Sequence, residues 1–331
     1  MAHLVVTGGA GYIGSHALRA LERAGHTVVV VDDLRAGCEA FVERAPLVRC
    51  DVGDREALAK LFADYGPFDG IVHFAALTSV SESLVRPLEY YANNAAASAV
   101  LIDQAVAHGV RAFVLSSSAA VYGHPEVQPI SESAAIAPIN PYGASKAMVE
   151  RMLADVERAH GLRWTALRYF NACGADPAGA IGECHEPETH LIPLALEAAA
   201  GLRSELSLFG TDYPTRDGTC VRDYIHVTDL AAAHVLAVEA LLEHRYGGAY
   251  NLGTGTGHTN REVLDRIGAI VGIPVPLREA GRRPGDPAEL IADASRFRRD
   301  FGWQPLHSDL DTIIRTAWSW LTRWKGIQQA R

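Results

Sequence analysis

The chain has 331 residues, 48% of them hydrophobic and 21% charged, with a net charge of −9. This is the size of one large globular domain or two ordinary ones. The negative balance argues against a nucleic-acid partner or an anionic membrane surface, and no apolar run reaches the ~18 residues that a membrane-spanning helix needs.

Met1-Ala2-His3-Leu4-Val5-Val6 runs straight into a strand pattern without the charges of a signal peptide, so the cytoplasm is the expected address. The first half then alternates β-rich runs (Leu4–Thr7, Thr27–Val31, Leu47–Cys50, Gly70–His73, Ala112–Ser116, Arg163–Leu167) with helical stretches (Tyr12–Ala24, Arg55–Ala63, Leu88–His108, Tyr142–His160). Continuous apolar strands between helices predict a parallel sheet covered on both faces, an α/β doubly wound fold of Rossmann type. After about residue 170 the rhythm breaks. Residues 171–190 read as loop, followed by a helix over Leu191–Gly201 and a polar, turn-rich stretch at 210–220. A strand at Val221–Val227, a helix from Thr228 to His244, a short strand at Tyr250–Leu252 and helices near Thr259–Val271 and Leu310–Trp324 complete the pattern. It predicts a dinucleotide-binding lobe over 1–170, with some later elements returning to it, and a smaller mixed α/β substrate lobe over 171–331. Five scattered cysteines, Cys38, Cys50, Cys173, Cys184 and Cys220, show no CxxC spacing. Neither a disulfide framework nor a metal site is expected from them.

The first chemical motif is Thr7-Gly8-Gly9-Ala10-Gly11-Tyr12-Ile13-Gly14, between a strand and a helix. Gly8, Gly11 and Gly14 permit the tight turn, the approach of backbone to a pyrophosphate and close helix-on-strand packing. The phosphates would meet free N–H groups at the helix start. Asp32 ends the second strand, where a carboxylate accepts from ribose hydroxyls and repels a 2′-phosphate, so NAD is expected over NADP. Asp51 and Val52 end the third strand within reach of an adenine. Phe74-Ala75-Ala76 follows the fourth, where small residues let backbone approach a cofactor. These two stretches equally suit plain strand ends.

The second motif is Tyr142-Gly-Ala-Ser-Lys146, with Ser116-Ser117-Ser118 upstream. Tyrosine and lysine four residues apart share one helix face, where the ammonium lowers the phenol's pKa. Lys146 can also bind nicotinamide ribose hydroxyls. Ser118, just beyond the fifth strand, can hydrogen-bond a reacting oxygen. With a dinucleotide loop, this pair points to hydride chemistry on an alcohol.

On these motifs the chain resembles the extended short-chain dehydrogenase/reductase family, and most of all its nucleotide-sugar epimerases. Further matching pieces are Pro87-Leu88-Glu89-Tyr90-Tyr91, Ser116 through Gly123, Arg168-Tyr169-Phe170-Asn171 and Phe209 through His226. Related dehydratases carry Thr-Asp-Glu near the serine run, and its absence here argues against water elimination. The resemblance implies bound NAD, a UDP-sugar substrate, and a homodimer packed through the helices near 88–108 and 142–160. It implies reversible inversion of UDP-galactose and UDP-glucose at C4 through a transient 4-keto sugar. A UDP-N-acetylhexosamine or UDP-pentose substrate is the alternative, and a dehydratase, a reductase or a non-catalytic NAD sensor is disfavoured.

The same resemblance implies residue roles. Tyr142 would be base and acid, Ser118 its hydroxyl partner and Lys146 the electrostatic and ribose anchor. Tyr12, Ile13, Asn93, Ser116 and Phe170 would line the cofactor site. Asn171, His190 and Leu191 would contact the sugar nucleotide, and Phe209 would lie by the uracil. Arg222 and Arg283 would hold the diphosphate, Asp286 a ribose hydroxyl, and Leu290 would stand beside the sugar's C2 substituent. Thr78 stands where a lysine is common, and His190 where an asparagine is often found.

Overall fold

The computed structural model describes residues 1–283 and 285–327. Six parallel strands alternate with helices: β1 (His3–Thr7), α1 (Tyr12–Arg23), β2 (Thr27–Asp32), β3 (Leu47–Arg49), α2 (Arg55–Tyr65), β4 (Gly70–His73), α3 (Val80–Val85), α4 (Pro87–Tyr90), α5 (Ala97–Ala107), β5 (Ala112–Ser118), α6 (Pro141–His160) and β6 (Arg163–Tyr169). There follow β7 (Asn171–Cys173), α7 (Leu191–Ala199), β8 (Leu206–Phe209), β9 (Val221–His226), α8 (Val227–Leu242), β10 (Gly248–Leu252), β11 (Gly257–Thr259), α9 (Asn260–Val271), β12 (Leu277–Ala280), β13 (Glu289–Leu290), α10 (Ser295–Phe301) and α11 (Leu310–Trp324).

Side-chain alternation along the strands sets the layers. Leu4 and Val6 of β1 join Val28 and Val30 on one face, covered by Leu18 and Leu21 of α1 and by Leu230, Ala237 and Leu241 of α8. Val5, Val29 and Val31 point the other way, onto Leu58 and Leu61 of α2, Leu101 of α5 and Leu153 of α6. The seven-stranded sheet runs β10-β6-β5-β4-β1-β2-β3. Its order reverses between β1 and β4, where α/β sheets open a crevice at the strands' carboxyl ends. The doubly wound fold expected from the sequence is present. β10 comes from beyond residue 171 yet pairs with β6 in parallel, Gly248 opposite Thr165 through Leu252 opposite Tyr169.

A second core gathers Ile192 and Leu196 of α7, Leu206 and Leu208 of β8, Leu264 and Ile267 of α9, and Ile313 and Ile314 of α11. Two small sheets accompany it, β11-β9-β13 with β7 on β9, and β12 beside β8.

The single helix predicted over Leu88–His108 is interrupted by a π-helical turn over Tyr91–Ala96. The widened turn sets the Asn94 side chain against the loop after β4, accepting from Leu77 N (2.8 Å) and donating to Leu77 O (2.9 Å). β5 runs two residues further than predicted, so Ser118 is its last residue rather than a residue beyond it.

Candidate active site

A cleft of about 950 Å³ opens at the β1–β4 crossover. Its cofactor end is built mainly from backbone. Gly8 has φ +70°, and a Cβ there would come within 2.6 Å of the Ala75 nitrogen. A Cβ on Gly14 would reach 2.1 Å from the Gly8 carbonyl oxygen. Each glycine therefore keeps a close approach that no other residue allows. α1 begins after Gly11 with no side-chain cap, so the N–H groups of its first turn remain as donors beside the cleft. Asp32 is 7% exposed and accepts from Ala10 N (3.0 Å) and Leu34 N (2.9 Å). Burial pushes its carboxyl above the usual range, against those two N–H groups. A tight glycine turn, an uncapped helix start and a strand-end carboxylate together fit a dinucleotide with a free 2′-hydroxyl.

The reacting groups sit deeper. Asn140 caps α6 by accepting from Gly143 N (2.8 Å), and Pro141 opens the helix. A Cβ on Gly143 would lie 2.3 Å from Ala120 O, so glycine lets the helix start rest on the turn after β5. That contact places the half-buried Tyr142 with Ser118 on the wall of the cleft. One turn on, Lys146 is 3% exposed and donates to Ser116 O at 2.8 Å. Burial pushes its amine down to about 8, with the Glu150 carboxylate pulling the other way. The lowering of the Tyr142 phenol expected from Lys146 does not prevail. Burial raises it, and the Ser118 hydroxyl is what opposes the rise.

A buried network steadies this centre. Glu150 pairs with Arg168 and accepts from Ser117 Oγ at 2.5 Å. Arg168 Nη1 donates to Tyr122 OH (2.8 Å), which donates to Asn251 Oδ1 of β10 (2.7 Å). Asn94 Nδ2 donates to Ser145 Oγ (3.1 Å), which donates to Tyr142 O (2.7 Å). The π-helical turn is thereby tied to the tyrosine-bearing helix.

At the far end Arg222 lies on β9, its Nη1 donating to Val221 O (2.8 Å) and its Nη2 3.5 Å from Asp286. Leu290 pairs opposite Arg222 in the parallel β13–β9 ladder and packs on the cluster of Ala119, Val121, Tyr122 and Ile130. His190 and Leu191 stand at the start of α7.

Nearly all the residues singled out in the sequence line this one cleft, from Gly8, Gly11, Tyr12, Ile13 and Gly14 to Arg222, Asp286 and Leu290. Phe209 and Arg283 are not part of its lining, and the Arg283 guanidinium stands 4.5 Å from the Phe209 ring centre. The lining also contains residues to which the sequence assigns no role: Gly37, the α3 residues Val80–Glu82, Ile139 and Asn140, and Glu183 and His185 ahead of His190. The alternation of acid and histidine in Glu183-Cys-His185-Glu-Pro-Glu188-Thr-His190 was the signal available for the last of these.

Fold and cleft define a dinucleotide-dependent enzyme with a tyrosine–lysine–serine centre. Residues 4–253 match the NAD dependent epimerase/dehydratase family. The chain is 52% identical over 321 residues to the UDP-glucose 4-epimerase of Azospirillum brasilense, covering 96% of this chain and 91% of that one. It superposes with a TM-score of 0.93, at 47% identity, on the crystal structure of UDP-glucose 4-epimerase from Brucella ovis in complex with NAD, covering 96% and 98% of the two chains. The UDP-glucose-4-epimerase of Stenotrophomonas maltophila, with bound NAD and formylated UDP-arabinopyranose, gives 0.95 at 42% identity over 99% and 100%. The chain belongs to the NAD dependent epimerase/dehydratase family.

Proposed function

We propose that the chain interconverts UDP-galactose and UDP-glucose by inversion at C4, with NAD as a resident cofactor. The observation that carries this reading is the meeting of Tyr142, Ser118 and Lys146 in the cleft that the glycine loop opens. The relatives named above, two of them with NAD in their structures, support it. Gly8, Gly11, Tyr12, Ile13, Gly14 and Asp32 would hold the dinucleotide's phosphates and ribose. When bound, NAD supplies a reversible hydride acceptor whose cationic ring also favours a phenolate.

Tyr142 takes the proton of the sugar 4-hydroxyl, and Ser118 shares the same oxygen through its own hydroxyl. Lys146, still protonated at neutral pH, stabilises the phenolate form in which Tyr142 accepts that proton. The C4 hydride passes to bound NAD and, once the 4-keto sugar has turned over, returns to the other face, while Tyr142 returns the proton to the C4 oxygen. Arg222, oriented by Asp286, holds the diphosphate through this turn. Phe170, Asn171 and Leu290 leave the sugar few fixed contacts.

Purified protein without added NAD is expected to convert UDP-galactose to UDP-glucose with no net NADH. Steady NADH accumulation, or release of a 4-keto sugar, would overturn the reading. Leu290, intermediate in size beside the sugar site, favours a second reading in which UDP-N-acetylhexosamines are also accepted, tested by comparing their rates with those of the plain hexoses. A homodimer accords with the exposed Leu84 and Val85 of α3, Leu88 of α4 and Met148 of α6. No helix among the described residues is long and apolar enough to cross a membrane, in keeping with a cytoplasmic enzyme.

A further inference from the structure

The segment leading into α7 carries four ligand-type side chains that the reaction does not need as a set. Glu183, His185, Glu188 and His190 each offer one oxygen or nitrogen, and these atoms lie within 4.8 Å of one another. The carboxylates are the least exposed of the four, with side chains 7% exposed. Glu183 Oε1 is 3.0 Å from His185 Nδ1 and 2.8 Å from His190 Nδ1. Glu188 Oε1 is 2.9 Å from His190 Nδ1 and accepts from the backbone of Thr189 (2.6 Å) and His190 (2.7 Å). Among the described residues, no lysine or arginine pairs with either carboxylate. Two carboxylates that meet imidazoles and backbone N–H groups but no lysine or arginine would be balanced by a divalent cation with the histidines neutral.

The donors select the kind of ion. Imidazole nitrogen with carboxylate oxygen suits zinc and its neighbours, whereas magnesium and calcium favour oxygen alone. Cys184, although adjacent in sequence, is not among the four side chains whose ligand atoms gather within 4.8 Å. Zinc bonds of about 2.0–2.1 Å hold tetrahedral donors roughly 3.3 Å apart. Three of the pairs above are already closer than that, and the widest is 4.8 Å. Side-chain rotation of the half-buried His185 and the exposed His190 closes the remaining gap.

We propose that Glu183, His185, Glu188 and His190 form a site for one divalent transition-metal ion of the zinc class on the wall of the cleft. His185 also stands edge-on to Tyr12, at 6.3 Å between ring centres, and His190 immediately precedes α7. A bound ion would therefore fasten the dinucleotide helix's side of the cleft to its sugar-nucleotide side. The site stands whether or not the sugar reading holds.

The test uses the full chain, stripped with a chelator and titrated with Co²⁺ and then Zn²⁺. One Co²⁺ per chain with the intense visible bands of four-coordinate nitrogen and oxygen ligation, displaced by one Zn²⁺, is the expected result. His185→Gln and Glu183→Gln should each weaken binding tenfold or more. If Glu183→Gln fails to fold, His185→Gln decides alone, since its side chain is 28% exposed on a loop. No saturable binding, a six-coordinate spectrum, or unchanged affinity in His185→Gln overturns the proposal.

Discussion

The two ends of the cleft are built differently. At the cofactor end the chain presents backbone: glycines whose missing side chains set sub-3 Å approaches, helix N–H groups and one buried carboxylate. At the far end it presents long side chains on loops and short strands, Arg222 against Asp286 and Glu183 among histidines. Backbone on a packed sheet has little freedom to lose on binding, while long side chains must be ordered each time. This contrast suits an enzyme that keeps one ligand and exchanges another.

That contrast can be broken by substitutions at either end. Tyr142→Phe should lower turnover by roughly 10²–10⁴-fold while the protein still purifies with NAD, since it removes only the proton station. Turnover assays with cofactor content measured by absorbance check this, and unchanged turnover refutes the assigned base. Gly8→Val forces a side chain into the Ala75 backbone and should cost about 3 kcal/mol, roughly a hundredfold in NAD affinity. NAD retained at wild-type affinity would show that the cofactor end is not a backbone cradle.

Acid should loosen the cofactor half in particular. Burial holds His16 down at about 4, His73 at about 3 and His234 at about 4, all on elements of the main sheet or its covering helices. The unfolded chain binds protons from about pH 6.5 downward while these folded sites do not. Their contribution is therefore complete above pH 6.5 and is lost as pH falls toward 4 and 3. By pH 5 the loss is roughly 2 kcal/mol for each histidine. Thermal melts across that range, with NAD release followed in parallel, measure it, and a flat melting temperature would contradict these burials.

Arg222→Leu should act on the exchanged ligand alone, raising KM for the UDP-sugar by roughly thirtyfold, about 2 kcal/mol, with NAD content unchanged. Leu290→Ala should have the smallest effect, shifting the rate ratio of N-acetylated to plain hexose by a few fold through added room. A rise in NAD loss with either change would mean that the two ends are coupled.

The sequence revealed the cofactor end more fully than the other for the same physical reason. Gly8, Gly14 and Asp32 are forced by local backbone demands, so a short motif records them. Main-sheet strands such as Val28–Val31 are continuous apolar runs, which read clearly. β8, β12 and β13 are short and half-exposed, with no pattern of their own, and exist because they pair with distant chain. The turn at Tyr91–Ala96 is helical in composition, and its widening answers to the loop it holds through Asn94. Phe209 and Arg283 were assigned by resemblance, and their mutual stacking depends on loop geometry that no residue pattern specifies. Helical spacing places Lys146 beside Tyr142 but does not tell how deeply the two are buried, and burial decides the direction in which the phenol shifts.

β10 bears on how the protein is made. On the ribosome, β6 has no outer neighbour until residue 252 has emerged, and Tyr122 waits as long for Asn251. A nascent chain halted at residue 170 would carry the glycine loop, the serine run and Tyr142 on a sheet with a bare edge, open to strands of other nascent copies. The catalytic half thus matures only after much of the second half has been synthesised, and early termination should yield aggregate rather than a working NAD-binding fragment.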